Sequence, residues 1–157
     1  MSRLGPFFLV LAHLLAGCAN LAPGNHYALT IDPTLSLEDQ STATEAAHAW
    51  VDALHGELTI DVAIGACSSN DREICVLPTY PGRLMPGELA NTTRYFAWDR
   101  ADTYISPDST GLTTITHELG HAMGLVHTGP GTVMCFATGC AAERPTHADA
   151  AQWRQTR

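Results

Sequence analysis

The segment His117-Glu118-Leu119-Gly120-His121-Ala122-Met123-Gly124-Leu125-Val126-His127 gathers metal-binding and proton-transfer chemistry into eleven residues. His117 and His121 are four apart, so on a helix they share one face, one turn from each other. Their imidazoles can then converge on a single ion, at the ~2.0–2.1 Å usual for zinc–nitrogen bonds. A third ligand cannot come from the same helix face at the angle a tetrahedron needs. The chain must turn first, and Gly124 stands where a left-handed residue ends a helix at little steric cost. That turn lets His127 approach from the side. Three neutral imidazoles leave the ion its full double charge and one open position, where a water becomes acidic, with a pKa of roughly 7 in catalytic zinc sites. Glu118 is rotated about 100° from His117 around the helix, so it is not a ligand. Its carboxylate is placed instead to take the proton of that water and carry it to a leaving amine. At average residue usage the five fixed positions arise by chance roughly once in 10⁷ sites, so the pattern points strongly to one catalytic zinc ion.

These residues need a scaffold, and the sequence suggests one. Tyr27 to Ile31 alternates as a first strand and ends at Asp32-Pro33. Ser36 is a candidate N-cap for a helix whose apolar face is Ala43, Ala46, Ala47, Trp50, Val51 and Leu54, with Gly56 as its stop. Leu58 to Ile64 reads as a second strand with Leu58, Ile60, Val62 and Ile64 on one face, and Ile74 to Leu77 as a third. Glu88 to Thr93 reads as a short edge strand; Arg94 to Trp98 and Asp102 to Ser106 are strand-like, with Asp99 to Ala101 as the turn between them. Asp108 or Ser109 is expected to cap the helix that carries the histidines, with Leu112, Ile115, Leu119, Ala122 and Met123 on its apolar face and its end at Gly124. A last short helix is expected from about Thr146 to Arg154. The order of elements predicts an α+β domain with one modest mixed, twisted sheet, two long helices and a short C-terminal helix.

The composition agrees with a single globular domain. The chain has 157 residues, 45% of them hydrophobic, which is enough for a core. Sixteen acids stand against eight bases, all arginine, for a formal charge of −8. An acidic chain without a basic run is a poor binder of nucleic acid. Four further histidines, His26, His48, His55 and His147, are scattered and read as surface residues, and the Ser68-Ser69-Asn70-Asp71 loop reads as solvated.

From Asp102 to Met134 the sequence resembles the metzincin clan of zinc peptidases. The histidine segment matches the clan's zinc-binding consensus. Met134, in Gly131-Thr132-Val133-Met134 and seven residues past His127, resembles the Met-turn that underlies the metal there. The matrixin-like branch is the nearest. Thr128 follows the third histidine where matrixins often carry serine, and Trp50 on the first long helix and Asp149 in the terminal helix suit the same layout. Two departures stand out: there is no cysteine-switch propeptide, and Phe136 cannot supply the phenolic hydroxyl that astacin-like members place two residues past the methionine. The resemblance implies a zinc-dependent endopeptidase and a monomer. It places a protein or peptide substrate antiparallel to an edge strand above the metal, for which Glu88 to Thr93 is the candidate.

The N-terminus carries a second resemblance. An apolar run from Leu4 to about Gly17 is too short to span a bilayer, which takes roughly 20 residues. It ends in Leu15-Ala16-Gly17-Cys18, which resembles the lipobox of bacterial lipoproteins. The implied organisation is a signal peptide over 1–17, a tether over 18–25 lipidated on Cys18, and a metzincin-like catalytic domain over 26–157. The implied location is outside the cytoplasm, lipid-anchored to a bacterial membrane, at the outer membrane or cell surface. Asn91-Thr92-Thr93 is a glycosylation sequon without meaning in such a protein. With Cys18 lipidated, Cys67, Cys75, Cys135 and Cys140 remain as an even set in an oxidising compartment. Local pairing, Cys67–Cys75 and Cys135–Cys140, is the simplest of the three possible arrangements. Two other functions suit the same residues: a surface lipoprotein that binds zinc without catalysis, and a zinc hydrolase acting on cell-wall peptides.

Overall fold

A computed structural model describes residues 25–68, 72–95, 99–107, 111–136 and 142–157. The segment 1–17, Cys18, Ser69 to Asp71, Asp108, Ser109 and Cys140 lie outside the described residues. The elements in chain order are β1 (His26–Ile31), α1 (Leu37–Ala53), β2 (Thr59–Ile64), β3 (Glu73–Pro78), β4 (Ala90–Tyr95), β5 (Arg100–Ile105), α2 (Leu112–Ala122) and α3 (His147–Gln155). The fold is α+β, with one mixed five-stranded sheet in the order β2-β1-β3-β5-β4. β1 runs parallel to β2 and β3, and β3 parallel to β5; β4 is antiparallel to β5 and forms an edge.

Register explains how the sheet presents residues to the helices. Ile74 pairs Ala101, Val76 pairs Thr103, and Thr92 and Arg94 of β4 pair Thr103 and Ala101. These residues therefore share one face with Tyr27, Leu29 and Ile31, because side chains alternate along a strand. Against that face lies a core built on Trp50 of α1, Ile115 and Leu119 of α2 and Trp153 of α3, all at most 2% exposed. The Trp50 indole N–H also donates to the carbonyl of Thr116 at 2.9 Å, joining α1 to the middle of α2.

Ser36 caps α1 as expected, accepting from the Asp39 N–H at 3.0 Å, and Gly56 takes a φ of +83° in the turn beyond that helix. Three expectations are corrected. β4 is one strand from Ala90 to Tyr95, so Arg94 and Tyr95 continue the edge strand and do not begin another. α2 starts at Leu112 with Gly111 as N-cap and no side-chain cap bond, rather than at Asp108 or Ser109. Glycine tolerates the N-cap position almost as well as the polar caps, so local sequence alone did not locate that start. Ile64 is 60% exposed instead of sharing a buried face with Leu58, because β2 is the other edge strand and its far end is not covered.

Candidate metal centre

The site is assembled at the C-terminal half of α2. Its end is a Schellman turn: the Leu125 N–H bonds to the Gly120 carbonyl and the Gly124 N–H to that of His121, each at 2.9 Å. Gly124 has a φ of +98°, the conformation this motif needs and one that side chains oppose. The chain therefore leaves the helix sharply and returns His127 toward His117 and His121.

The three imidazoles converge. His127 Nε2 lies 3.2 Å from His117 Nε2 and 3.0 Å from His121 Nε2. Nitrogens tetrahedrally bound at ~2.0–2.1 Å from one zinc ion stand ~3.3 Å apart, so this spacing fits an ion at their centre. Two of the other ring nitrogens are engaged. His117 Nδ1 lies 2.8 Å from the Val133 carbonyl and His121 Nδ1 2.9 Å from the Leu125 carbonyl. A carbonyl only accepts, so each Nδ1 carries its proton and each Nε2 presents a lone pair to the common point. Burial pushes the His121 imidazole down to about 4 and lowers His127 as well, and the neighbouring histidines add to both shifts. Both are thus neutral at pH 7, the form that binds a metal. The group can hold a metal ion.

Glu118 sits in the same cleft, a space of about 740 Å³ that the three histidines also line. It is 8% exposed. Burial raises its pKa above the ordinary carboxylate range, an effect only partly countered by the Thr92 hydroxyl and by His117. Thr92 was not singled out as a site residue in the sequence. Its hydroxyl donates to the Glu118 carbonyl at 3.1 Å and lies 2.9 Å from the Thr103 hydroxyl, fastening β4 to α2 at the glutamate. Register in β4 was the missing signal: a strand placed at Ala90 to Tyr95 puts Ala90, Thr92 and Arg94 on the helix side.

Beneath the histidines, the turn from Thr128 to Met134 closes through the Thr128 N–H to the Met134 carbonyl at 2.8 Å. Met134 is fully buried against Gly120. A Cβ at position 120 would overlap the Met134 sulfur and stand 3.0 Å from Trp50 Cζ2, so only glycine allows this approach. Asp149 of α3, also fully buried, accepts from the Val133 N–H at 3.1 Å and the Met134 N–H at 3.2 Å. It also accepts from the N–H and hydroxyl of Thr146 in a capping box. The turn is thereby bolted to the start of α3, and through Val133 the bolt reaches His117.

Cys67 and Cys75 form a disulfide with a Cα–Cα distance of 5.9 Å, as expected from local pairing. With Glu73 they also make a cluster of metal-ligand type, but its sulfurs are already bonded to each other. Cys135 is disulfide-bonded too. Since Cys67 and Cys75 hold each other, a tie from Cys135 to that pair does not occur. Phe136, 80% exposed, lies against His127 with ring centroids 4.7 Å apart.

Fold and site together define an α+β domain whose second helix and following turn carry a three-histidine group able to hold a metal ion beside a buried glutamate. No protein-family model and no curated protein matches the chain.

Proposed function

We propose that this protein is a zinc-dependent endopeptidase of the metzincin clan, on the matrixin-like side. It is held at a bacterial outer membrane or cell surface by lipid on Cys18. The observation that carries the catalytic reading is the convergence of three Nε2 atoms within 3.0–3.2 Å, next to a buried carboxylate that is not one of them. Zinc in such a donor set supplies a Lewis acid that polarises a carbonyl and acidifies water. The residues of the chain do the rest. His117, His121 and His127 hold the ion, with two of the rings oriented by main-chain carbonyls. Glu118 accepts a proton from the attacking water and delivers it to the leaving amine; its raised pKa brings it closer to the working pH, which suits a group that must take up and release a proton in one cycle. β4, an edge strand lining the cleft, offers main-chain groups to an extended peptide. Digestion of a peptide library by the zinc-loaded chain, with and without chelator, tests the activity. Absence of any chelator-sensitive cut would end the peptidase reading and leave the zinc-binding lipoprotein.

His127→Ala removes the ligand that only the turn at Gly124 supplies. The expected result is a fall in zinc occupancy at neutral pH from about one per chain toward none, read by elemental analysis after gel filtration. Retention of full occupancy would place the third ligand elsewhere.

The anchor has its own test. Cys18→Ser should leave the protein in the soluble fraction or as an uncleaved precursor, since a single acyl chain binds membranes only marginally and stable attachment needs more than one. A soluble wild-type protein whose mature N-terminus is not Cys18 overturns the lipoprotein reading.

A further inference from the structure

The cleft is not uniform in charge along its length. At one end Glu88 is occupied with its own turn, accepting from the Met85 N–H at 2.8 Å and the Asn91 amide at 2.9 Å. At the other end β4 delivers Arg94 to the cleft wall, beside the C-terminal turn of α2. The guanidinium packs against Gly124: a Cβ there would meet Arg94 Nη1 at 2.7 Å and Cζ at 3.3 Å. Asp99 pairs with it, 3.2 Å from Nη2. A second arginine, Arg72, stands 3.9 Å from the same aspartate. A third, Arg157, donates to the Met123 carbonyl at 3.2 Å and to the Tyr27 hydroxyl at 2.6 Å. Tyr27 in turn lies within the electrostatic reach of both Arg94 and Asp99. Among the described residues two guanidiniums, those of Arg94 and Arg72, share the one Asp99 carboxylate, a local excess of positive charge beside the cleft in a chain whose formal charge is −8.

We propose that this end of the cleft is an anion subsite, with Arg94 as the specificity-determining residue, and that the preferred substrate is a peptide carrying an acidic side chain at one fixed distance from the cut bond. The inference rests on the peptidase reading above. Its chemistry is that of the guanidinium fork, which presents paired N–H donors in the geometry a carboxylate accepts. The guanidinium is already held between Gly124 and Asp99, so little side-chain freedom is lost when a ligand arrives. Helix capping alone accounts for Arg157, which donates to a terminal carbonyl of α2. It does not account for a guanidinium that lines the cleft and keeps 24% of its side-chain surface exposed.

The test uses the zinc-loaded full chain carrying Glu118→Gln, so that binding is read without turnover. Fluorescent peptides bear a single Glu, or Gln at the same place, scanned through every position. The expected result is one position at which Glu binds about tenfold or more tighter than Gln, a preference that shrinks as salt is raised. Adding Arg94→Gln should erase the preference. Adding Arg72→Gln, at a more exposed site that leaves the guanidinium against Gly124 in place, should weaken it by about two- to threefold. Equal binding of Glu and Gln peptides at every position overturns the subsite, as does no binding of either, or a preference that survives in both arginine variants. Cleavage by the wild-type chain is scored separately. Cleavage without Glu-dependent binding refutes the subsite alone, and Glu-dependent binding without cleavage refutes the peptidase reading alone.

Discussion

Glu118→Ala should keep about one zinc per chain and lose roughly 10²–10⁴-fold in peptide hydrolysis, the usual contribution of a positioned general base. The two halves of this expectation have separate structural causes. The metal group is the three imidazoles, and none of their hydrogen bonds involves the Glu118 side chain: His117 and His121 lean on the carbonyls of Val133 and Leu125. Truncating the glutamate therefore leaves the ligands in place. The Thr92 hydroxyl bonds the main-chain carbonyl of residue 118, which alanine retains, so β4 should stay fastened to α2. What disappears is the buried carboxylate that shares the cleft with the metal group, and with it the proton carrier. Zinc content by elemental analysis and turnover of a cleaved library peptide decide the matter together. Near-wild-type turnover would falsify the mechanism. Loss of zinc would instead show that Glu118 supports the ligands.

Asp149→Ala should destabilise the protein by about 3 kcal/mol or more, from the buried donors it abandons. The N–H groups of Val133 and Met134 sit on residues at most 1% exposed, and both point at this carboxylate. Alanine also removes half of the capping box at α3. A loss of that size lowers the melting temperature by roughly 10 °C in a chain of this length. Because Val133 also holds His117 through its carbonyl, zinc affinity should fall alongside stability. Asp149→Asn keeps one acceptor oxygen and should lose less on both counts. Urea denaturation of the two variants, with zinc titration of each folded protein, gives the comparison. A change under about 0.5 kcal/mol for the alanine variant would mean that the turn beneath the metal group stands without its bolt.

Much of the site was legible before any coordinates. The period of a helix places residues four apart on one face whatever surrounds it, so His117 and His121 could be paired from spacing alone. Glycine's freedom at positive φ is equally local, and it marked the turn that brings in His127. The same reasoning located Ser36 as a cap, the α1 stripe through Trp50, and the Cys67–Cys75 pair, separated by eight residues. Each of these depends on contacts a few residues apart, which the covalent chain already constrains.

The tertiary structure decided what joins distant segments. Strand order is set by pairing between stretches tens of residues apart, and it made β2 an edge with Ile64 exposed. The extent of β4 was misread because Asn91 to Tyr95 carries little apolar alternation: its helix-side residues are Thr92 and Arg94, whose partners include a threonine, a helix carbonyl and an aspartate. No spacing rule links Thr92 to Glu118, Arg94 to Gly124, or Met134 to Gly120, since each pair meets only when the sheet, α2 and the following turn are packed together. The ligands of the metal group were written locally in the sequence; the burial that shifts Glu118 and the charge at the end of the cleft arise only from that packing.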